Sequence, residues 1–267
     1  MTAFTLPSPG LGTSGNDEFE RCAETVATAL DAGYRHVDTA QMYDNEAAVG
    51  AGIERADVPR EEVVVATKIH PDNLSYEATR RTARESLDRL GLDRVDLLYV
   101  HWPISAYDPA ETLPAFQELV DEGVTDHVAV SNFDRELFET AADRLDAPIV
   151  ANQVECHPLL PQDDLRALAR DHGHHLVAYS PLAGGEILDD PLLSEIATEH
   201  DTTTAAVCLA WAASKDSVVP IPKGEGDHVR ANYEARSLEL SDDALARIDG
   251  YDERLRVVDP APAPWNE

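Results

Sequence analysis

The sequence predicts an α/β fold, a (β/α)₈ TIM barrel built as a single domain over residues 1–267. Short apolar runs recur roughly every 25–30 residues, segments with helical period separate them, and the length suits one such barrel. Most runs lack polar alternation, as expected for strands buried on both faces of a parallel sheet. A doubly wound sheet is the alternative. Residues 10–15 have the glycine spacing of its dinucleotide-binding turn, but this isolated match is weak evidence, and we regard the turn as missing.

Eight strands are predicted from the apolar runs, in chain order. They are placed near residues 11–13, 36–40, 63–69, 95–102, 124–132, 149–155, 175–180 and 218–221. Helical periodicity fills the gaps, and three of the helices should end at Gly33, Gly91 and Gly173, because glycine readily closes a helix in the left-handed conformation. The longer gap before the last strand has room for two helices, near residues 191–200 and 203–213.

The charge of the chain is strongly negative and spread along its whole length. There are 51 acidic and 21 basic residues, for a formal net charge of −30. Duplex nucleic acid is therefore excluded as a partner, because phosphate binding needs clustered lysine and arginine. Carboxylates at this density repel one another unless salt screens them. We expect a halophile's protein, with an ordinary acidic mesophilic enzyme as the alternative.

The cysteines and the first residues indicate a reduced compartment. Cys22, Cys156 and Cys208 form neither a disulfide framework nor a C-x-x-C pair. The first residues lack the basic and apolar regions of an export signal, and no stretch is apolar enough to cross a membrane. We expect a soluble cytoplasmic protein. The histidine-rich residues 171–175 resemble a metal cluster, but they span a helix end and a strand start, so we expect no metal site there.

Polar side chains close the predicted strands at positions where buried strands normally carry apolar ones. They are Asp38, Lys68, His101, Asn132, Gln153, Tyr179 and Lys223. Any one of them alone would suggest a capping or solvated residue. The carboxyl ends of barrel strands converge on one mouth, so seven such residues indicate a single pocket. Lys68 and Asp38 should pair, because a lone buried charge costs several kcal/mol.

Several motifs resemble the aldo-keto reductase family. Residues 33–40, Gly-Tyr-Arg-His-Val-Asp-Thr-Ala, followed by Glu46, Val49 and Gly50, are similar to its signature. The similarity continues through residues 96–103, 130–133, 152–155, 178–182 and 221–223. It spans residue 11 to about residue 249 and points to the branch of the bacterial and archaeal 2,5-diketogluconate reductases. The resemblance implies a barrel that binds NADP(H) without a Rossmann fold.

The resemblance also implies a catalytic tetrad of Asp38, Tyr43, Lys68 and His101. Tyr43 would give a proton to the oxyanion that forms when hydride reaches a carbonyl carbon. We expect the Lys68 ammonium to lower the pKa of Tyr43 from its ordinary value of about 10. Asp38 would compensate the charge of Lys68, and His101 would orient the substrate oxygen.

For the cofactor, the resemblance assigns one role to each part of the nucleotide. Ser131, Asn132 and Gln153 would bind the nicotinamide carboxamide, and Tyr179 would stack on the ring. Ser180 and Leu182 would approach the pyrophosphate, while Lys223 would face the adenosine 2′-phosphate.

The segment after Lys223 departs from the family pattern. Gly224 replaces a serine, and His228 stands where relatives carry a phosphate-binding arginine, although Asn232 is retained near the adenine. Arg230 is a candidate replacement for the lost arginine. Glu225 adds a negative charge that would repel the 2′-phosphate, and the arginine that could bind this phosphate through two hydrogen bonds is missing. Discrimination against NADH should therefore be weak. NADPH remains the first choice and NADH the alternative.

We expect an NAD(P)H-dependent reductase of small aldehydes and ketones that acts as a monomer. Trp102 should form an apolar pocket wall, and residues 250–267 either fold over the barrel mouth or fray. The alternative function is a nucleotide-sensing or scaffold protein with little turnover, which the complete tetrad disfavours. A barrel aldolase or isomerase with Lys68 as a Schiff base is disfavoured by the paired Asp38.

The charge distribution predicts salt-dependent stability. Between 50 mM and 2 M NaCl the thermal midpoint of unfolding should rise, because salt screens repulsion between surface carboxylates. Scanning calorimetry over this range checks the prediction, with 2 M sorbitol as a non-ionic control. A midpoint that does not increase with salt would favour the ordinary acidic enzyme.

Overall fold

The computed structural model describes residues 4–266, so Met1 to Ala3 and Glu267 of the predicted domain lie outside the described residues. Eight strands form one parallel sheet in the sequential order β1 to β8. The strands are β1 Leu11–Gly12, β2 His36–Asp38, β3 Val64–Ile69, β4 Val95–Val100, β5 Thr125–Ser131, β6 Ile149–Glu155, β7 His175–Tyr179 and β8 Val218–Pro220. Each predicted strand is present, and all but β6 are one or two residues shorter than the apolar run that predicted them.

The sheet closes into a barrel where β8 meets β1. The Gly10 amide donates to the Pro220 carbonyl at 3.0 Å, and the Gly12 amide donates to the Pro222 carbonyl at 3.1 Å. A side chain at Gly12 would not fit, because its Cβ would lie 2.7 Å from the Ile221 carbonyl oxygen. The predicted (β/α)₈ barrel is therefore confirmed, and the doubly wound alternative is wrong.

Helices alternate with the strands and cover the outside of the barrel. They are α1 Phe19–Ala32, α2 Glu46–Arg55, α3 Tyr76–Leu90, α4 Pro109–Asp121, α5 Arg135–Arg144, α6 Asp163–His172, α7 Pro191–Glu199, α8 Thr204–Ala213, α9 Asp227–Glu234 and α10 Asp242–Asp249. Both α7 and α8 lie between β7 and β8, as the long gap predicted. Gly33, Gly91 and Gly173 close their helices with positive φ, which confirms the three predicted helix ends.

The two-residue period of the strands decides which side chains enter the barrel. On β3, Val65 and Ile69 pack outward against the helices, whereas Ala66 belongs to the interior cluster. Lys68 continues this inward face at the carboxyl end of the strand. On β4, Leu97 and Tyr99 line the interior in the same way and lead to His101. The polar residues that end the strands therefore form the topmost interior layer.

The opposite end of the barrel is closed by the N-terminal segment. The Phe4 ring lies 4.3 Å from the His127 ring, and the Phe4 carbonyl oxygen lies 3.1 Å from His175 Nε2. The Leu6 side chain joins the interior cluster. The N-terminal segment therefore packs over the end of the barrel where the strands begin.

The histidines that resembled a metal cluster serve packing. The His174 ring stacks on Phe138 at 4.2 Å between centroids, and His172 meets the edge of the same ring at 5.3 Å. Burial lowers the pKa of His174 to about 4, so its ring is neutral at pH 7. Across residues 4–266, no group of three or more His, Cys, Asp or Glu side chains is arranged to hold a metal ion.

A membrane-spanning helix would have to be longer and more apolar than any helix found between residues 4 and 266.

Candidate active site

A cavity of about 500 Å³ opens at the carboxyl ends of the strands. Its walls include most of the predicted site residues, brought together from six strands and the loops that follow them. They are Asp38, Tyr43, His101, Trp102, Ser131, Asn132, Gln153, Tyr179, Ser180, Leu182 and Lys223. Residues nearly 200 positions apart in the sequence therefore share one pocket, as the barrel topology requires.

A larger groove, about 850 Å³ in volume, lies outside the barrel beside α2 and α3. Its three arginines are already engaged in ion pairs. Arg60 pairs with Asp96 at 2.8 Å, Arg89 with the buried Glu46 at 2.6 Å, and Arg94 with Asp126 at 3.1 Å. The groove therefore offers no unpaired cation, and the chemistry concentrates in the smaller cavity.

The deepest polar group of the cavity region is the Lys68 ammonium, whose side chain is fully buried. It donates to the Asp38 carboxylate, forming the predicted ion pair, and to the Thr39 carbonyl oxygen at 2.9 Å. The rings of Tyr43 and Tyr99 lie 5.0 and 5.7 Å from the ammonium, close enough for cation–π attraction. Burial opposes the charge most strongly, but Asp38 and Tyr43 outweigh it, so the pKa of Lys68 is raised.

Tyr43 reaches the same ammonium from a short 3₁₀ turn after β2, with Lys68 Nζ 3.4 Å from the Tyr43 hydroxyl oxygen. The turn is held by Asn45, a buried residue. Its side-chain amide donates to the Thr13 carbonyl at 2.9 Å, and its oxygen accepts from the Thr39 hydroxyl at 2.7 Å. The loops after β1 and β2 are thereby tied together, which fixes the phenol at the cavity.

The pKa of Tyr43 is raised, contrary to the net decrease expected from the sequence. Burial is the largest cause, because it penalises the phenolate. Lys68 acts in the expected direction, both through its charge and through its hydrogen bond, but does not outweigh burial. Asp38 also raises the pKa of Tyr43, so part of the benefit of Lys68 is cancelled. The phenol therefore holds its proton at neutral pH.

His101 completes the four-residue group, its ring meeting the Tyr43 ring edge-on at 5.6 Å between centroids. Burial, and next the nearby charge of Lys68, hold the pKa of His101 well below its usual range. The imidazole is consequently neutral at pH 7 and keeps one N–H to donate. Its backbone carbonyl accepts from Asn132 Nδ2 at 3.1 Å, which fixes the end of β4.

The amide side chains assigned to the carboxamide also bond within the protein. Gln153 Nε2 donates to the second oxygen of Asp38 at 2.7 Å, so Asp38 is held from both sides. The Asn132 side-chain oxygen accepts from the Tyr179 hydroxyl at 2.9 Å. Ser131 donates its hydroxyl to the Gln153 carbonyl at 2.9 Å. These bonds lock the ends of β5, β6 and β7 against one another.

The loop after β7 curves along the cavity wall through several residues in the left-handed region. Ser180 has a φ of 46°, Gly184 of 65° and Gly185 of 101°. A Cβ at Gly184 would meet nothing within 4 Å, so the backbone there faces open space. Ser180 and Leu182, assigned to the pyrophosphate, both line the cavity beside this exposed backbone.

The residues assigned to the adenosine end are not all brought to the cavity. Lys223 lines it and is exposed. His228 and Asn232 lie on α9, outside its lining, and Asn232 Nδ2 donates to the Lys223 carbonyl at 3.0 Å. Arg230 lies beside Tyr233 in a separate surface pocket. The structure therefore does not bring Arg230 to the cavity, since residues two apart on a helix, such as His228 and Arg230, point to different sides.

Trp102 lies beside His101 in the cavity wall and is 8% exposed. Its ring is 5.7 Å from the ring of Trp265, which belongs to the C-terminal segment. Val258, from the same segment, also lines the cavity. The chain after α10 thus passes the barrel mouth through residue 266, where the described structure ends.

Three residues close to this site carried no role in the sequence reasoning. Thr39 contributes a backbone carbonyl, which no side-chain pattern can reveal. Asn45 follows Tyr43 closely, but its partners come from other loops. Glu155 is the most visible of the three, because a carboxylate that closes an apolar strand is unusual, and it is only 1% exposed.

Comparison with known proteins gives a consistent result. A model described as the aldo/keto reductase family matches residues 9–253. The chain is 38% identical to methylglyoxal reductase DkgB of Escherichia coli O157:H7, covering 96% of this chain and 97% of the relative. It is 37% identical to an aldo-keto reductase of Mycolicibacterium vanbaalenii, covering 94% and 90%. A crystal structure assigned as a 2,5-diketo-D-gluconic acid reductase B superposes with a TM-score of 0.92, at 36% identity and coverage of 97% and 92%.

The buried ion pair predicts a non-additive stability pattern. Lys68→Met should lower the free energy of unfolding by about 3–5 kcal/mol, because it leaves the Asp38 carboxylate buried without its cation. The double variant Asp38→Asn/Lys68→Met should recover most of that loss. Urea unfolding at constant salt measures both.

Arg94→Met is the control, since both side chains of its pair with Asp126 are exposed, and such surface pairs contribute about 1 kcal/mol or less. Equal losses for Lys68→Met and the double variant would contradict the coupling.

Proposed function

The chain belongs to the aldo/keto reductase family, and on that basis we propose that it reduces small aldehydes and ketones with Tyr43 as the proton donor. Members of this family are oxidoreductases that use a nicotinamide cofactor. One observation carries the proposal: a charged, fully buried lysine lies 3.4 Å from a phenol hydroxyl at the cavity. Among the described hydrogen bonds, this is the one that joins a phenol hydroxyl to a lysine ammonium.

The proposed reaction needs a proton at the moment a carbonyl oxygen becomes an alkoxide. When bound, the cofactor supplies the hydride. Tyr43 is protonated at neutral pH because burial raises its pKa, so its proton is available until the oxyanion develops. Lys68 then stabilises the phenolate that remains. In alcohol oxidation the same phenolate accepts the proton.

His101 is proposed to orient the carbonyl oxygen towards Tyr43. Its neutral imidazole can donate one hydrogen bond without competing as a stronger acid. Trp102, which lines the same cavity, offers an apolar face that would exclude water from the reacting atoms.

The cavity fits the nicotinamide end of the cofactor. Tyr179 lines it and is held through its hydroxyl by Asn132, so its ring is a fixed surface for stacking. The open backbone at Gly184 allows close approach of a phosphate. The proposed carboxamide partners are Ser131, Asn132 and Gln153, of which Gln153 also bonds to Asp38.

We propose NADPH as the preferred cofactor, with NADH also accepted. Lys223 is the exposed cation at the cavity that can meet a 2′-phosphate. Glu225 weakens this attraction, but its carboxylate lies 3.5 Å from the Arg21 guanidinium, which offsets part of its charge. His228 is exposed on α9, and its imidazole does not offer the two parallel N–H donors with which an arginine binds a phosphate.

The alternative functions are less well supported. A nucleotide sensor with little turnover does not need the complete group of Asp38, Tyr43, Lys68 and His101. A Schiff-base aldolase needs a neutral lysine amine, whereas Asp38 keeps Lys68 charged. The monomeric state, the cytoplasmic location and the exclusion of nucleic acid remain predictions from the sequence.

The role of Tyr43 is tested by removing its hydroxyl. Tyr43→Phe should lower kcat for reduction by about 10²–10⁴-fold while the Kd for NADPH stays unchanged, because only the proton donor is lost. The assay uses methylglyoxal and other small carbonyl compounds in molar salt, with NADPH and NADH.

Tyr107→Phe is the matched control, because its hydroxyl is buried away from the cavity and has no partner within residues 4–266. Equal turnover by wild type and Tyr43→Phe would refute the assignment. Nucleotide binding without turnover by wild type would favour the sensor.

The cofactor preference is tested at residue 228. His228→Arg should tighten NADPH relative to NADH by about 10-fold, because a guanidinium can bind a phosphate through two charge-assisted hydrogen bonds. Tryptophan fluorescence quenching measures both Kd values without turnover. His228→Gln should leave the ratio unchanged, and an unchanged ratio for His228→Arg would show that α9 does not face the 2′-phosphate.

A further inference from the structure

Glu155 ends β6 two residues beyond Gln153, on the same inward-facing side of the strand. It is 1% exposed, although it does not line the cavity. Within residues 4–266, the sole ion-pair partner of its carboxylate is His157, whose Nε2 lies 3.0 Å away. A fully buried carboxylate without a lysine or arginine is costly, so its remaining hydrogen bonds must account for its presence.

The remaining hydrogen bonds come from the C-terminal segment, residues 251–266. The Val257 amide donates to Glu155 Oε1 at 2.8 Å, and the Val258 amide donates to Oε2 at 2.8 Å. Bonds from amides to a carboxylate are about twice as strong as those between neutral groups. Both carboxylate oxygens are therefore committed to two successive residues of one segment.

The C-terminal segment contains no strand or α-helix that would hold it to the barrel. Tyr251 remains tied to the helices, its amide to the Ile248 carbonyl at 3.1 Å and its hydroxyl to Asp190 at 3.0 Å. After Tyr251, the described backbone amides that donate to the barrel body are those of Leu255, Val257 and Val258. The Leu255 amide bonds to the Leu159 carbonyl at 3.0 Å. Two of these three attachments therefore end on Glu155.

The far end of the segment is braced within itself. Asp259 accepts from the Trp265 indole at 2.9 Å and from the Asn266 amide at 2.8 Å. The Arg256 guanidinium covers the Trp265 ring at 4.1 Å. These contacts tie residues 256 to 266 to one another, and we infer that the contact of Trp265 with Trp102 depends on where Val257 and Val258 are attached.

From this geometry we propose that Glu155 is a positioning residue for substrate recognition, which holds the C-terminal segment as the wall of the cavity. It acts through Val258, which lines the cavity, and through Trp265, which extends the wall beyond Trp102. A carbonyl compound with a bulky aromatic group reaches this wall, whereas a small one occupies only the space beside Tyr43 and His101. Glu155 therefore governs affinity for bulky substrates and leaves the chemical step unchanged. The proposal rests on the reductase function proposed above.

The test is Glu155→Gln, which keeps the size of the side chain but removes its charge and one of its two acceptors. The substrates are 4-nitrobenzaldehyde and methylglyoxal, with NADPH. The KM for 4-nitrobenzaldehyde should rise at least 10-fold, with kcat for both substrates, KM for methylglyoxal and the Kd for NADPH all within 2-fold of wild type. Glu253→Gln, an exposed carboxylate in the same segment, is the matched control and should behave as wild type.

Two further variants test whether Glu155→Gln raises the KM for 4-nitrobenzaldehyde by releasing the C-terminal segment. Trp265→Ala should give the same rise in KM, and adding Glu155→Gln to it should change KM by less than 2-fold, since both act on one wall. Val257→Pro removes one of the two amide N–H donors that the segment offers to Glu155, and it should also raise the KM for 4-nitrobenzaldehyde. If Glu155→Gln does not fold, Val257→Pro tests the proposal in its place.

Limited trypsin digestion supplies a readout that is independent of turnover. Cleavage after Arg254 should be at least 10-fold faster in Glu155→Gln and in Val257→Pro, with cleavage elsewhere unchanged. Cleavage after Arg256 should be faster in Glu155→Gln alone, because trypsin does not cut before the proline of Val257→Pro. For Glu155→Gln, an equal loss of kcat/KM on both aldehydes, weaker NADPH binding or an unchanged rate of cleavage would overturn the proposal. If wild type reduces neither aldehyde, the reductase function fails, while the digestion still tests the attachment of the segment.

Discussion

A fully buried ammonium at the end of β3 is the constraint around which the site is built. An ammonium has three N–H groups, and Lys68 has three partners: the Asp38 carboxylate, the Thr39 carbonyl and the Tyr43 hydroxyl. Each partner is needed, because a charge in the interior is tolerated only when it is paired and hydrogen-bonded. The position of the phenol follows from this requirement. Lys68, whose charge is balanced by Asp38, therefore also places the phenol that is proposed as the proton donor.

The strand ends were predictable because two simple rules place them. Buried parallel strands appear as apolar runs, and alternation puts Lys68 and His101 on inward faces once the strands are located. The pairing of Asp38 with Lys68 follows from the cost of a lone charge. Family resemblance was needed for Tyr43, which lies in a turn and belongs to no periodic pattern.

Other features depend on contacts between distant parts of the chain. Gln153 bonds to Asp38 across the barrel, 115 positions away, and no local pattern indicates this. The direction of the shift in the pKa of Tyr43 depends on how deeply its hydroxyl is buried, which the sequence does not reveal. Arg230 lines a separate surface pocket, because its position two residues after His228 places it on another side of α9. The role of Glu155 becomes visible only when the segment that it binds is in place.

The seam between β8 and β1 has a consequence for biosynthesis. Its two hydrogen bonds join Gly10 and Gly12 to Pro220 and Pro222, so the barrel closes only after nearly the whole chain has left the ribosome. Until then β1 has an open edge, and the lysine and its carboxylate lie in a sheet that solvent can enter. A nascent chain without residues 218–222 therefore cannot close the barrel around the cavity, so the complete site forms late in synthesis.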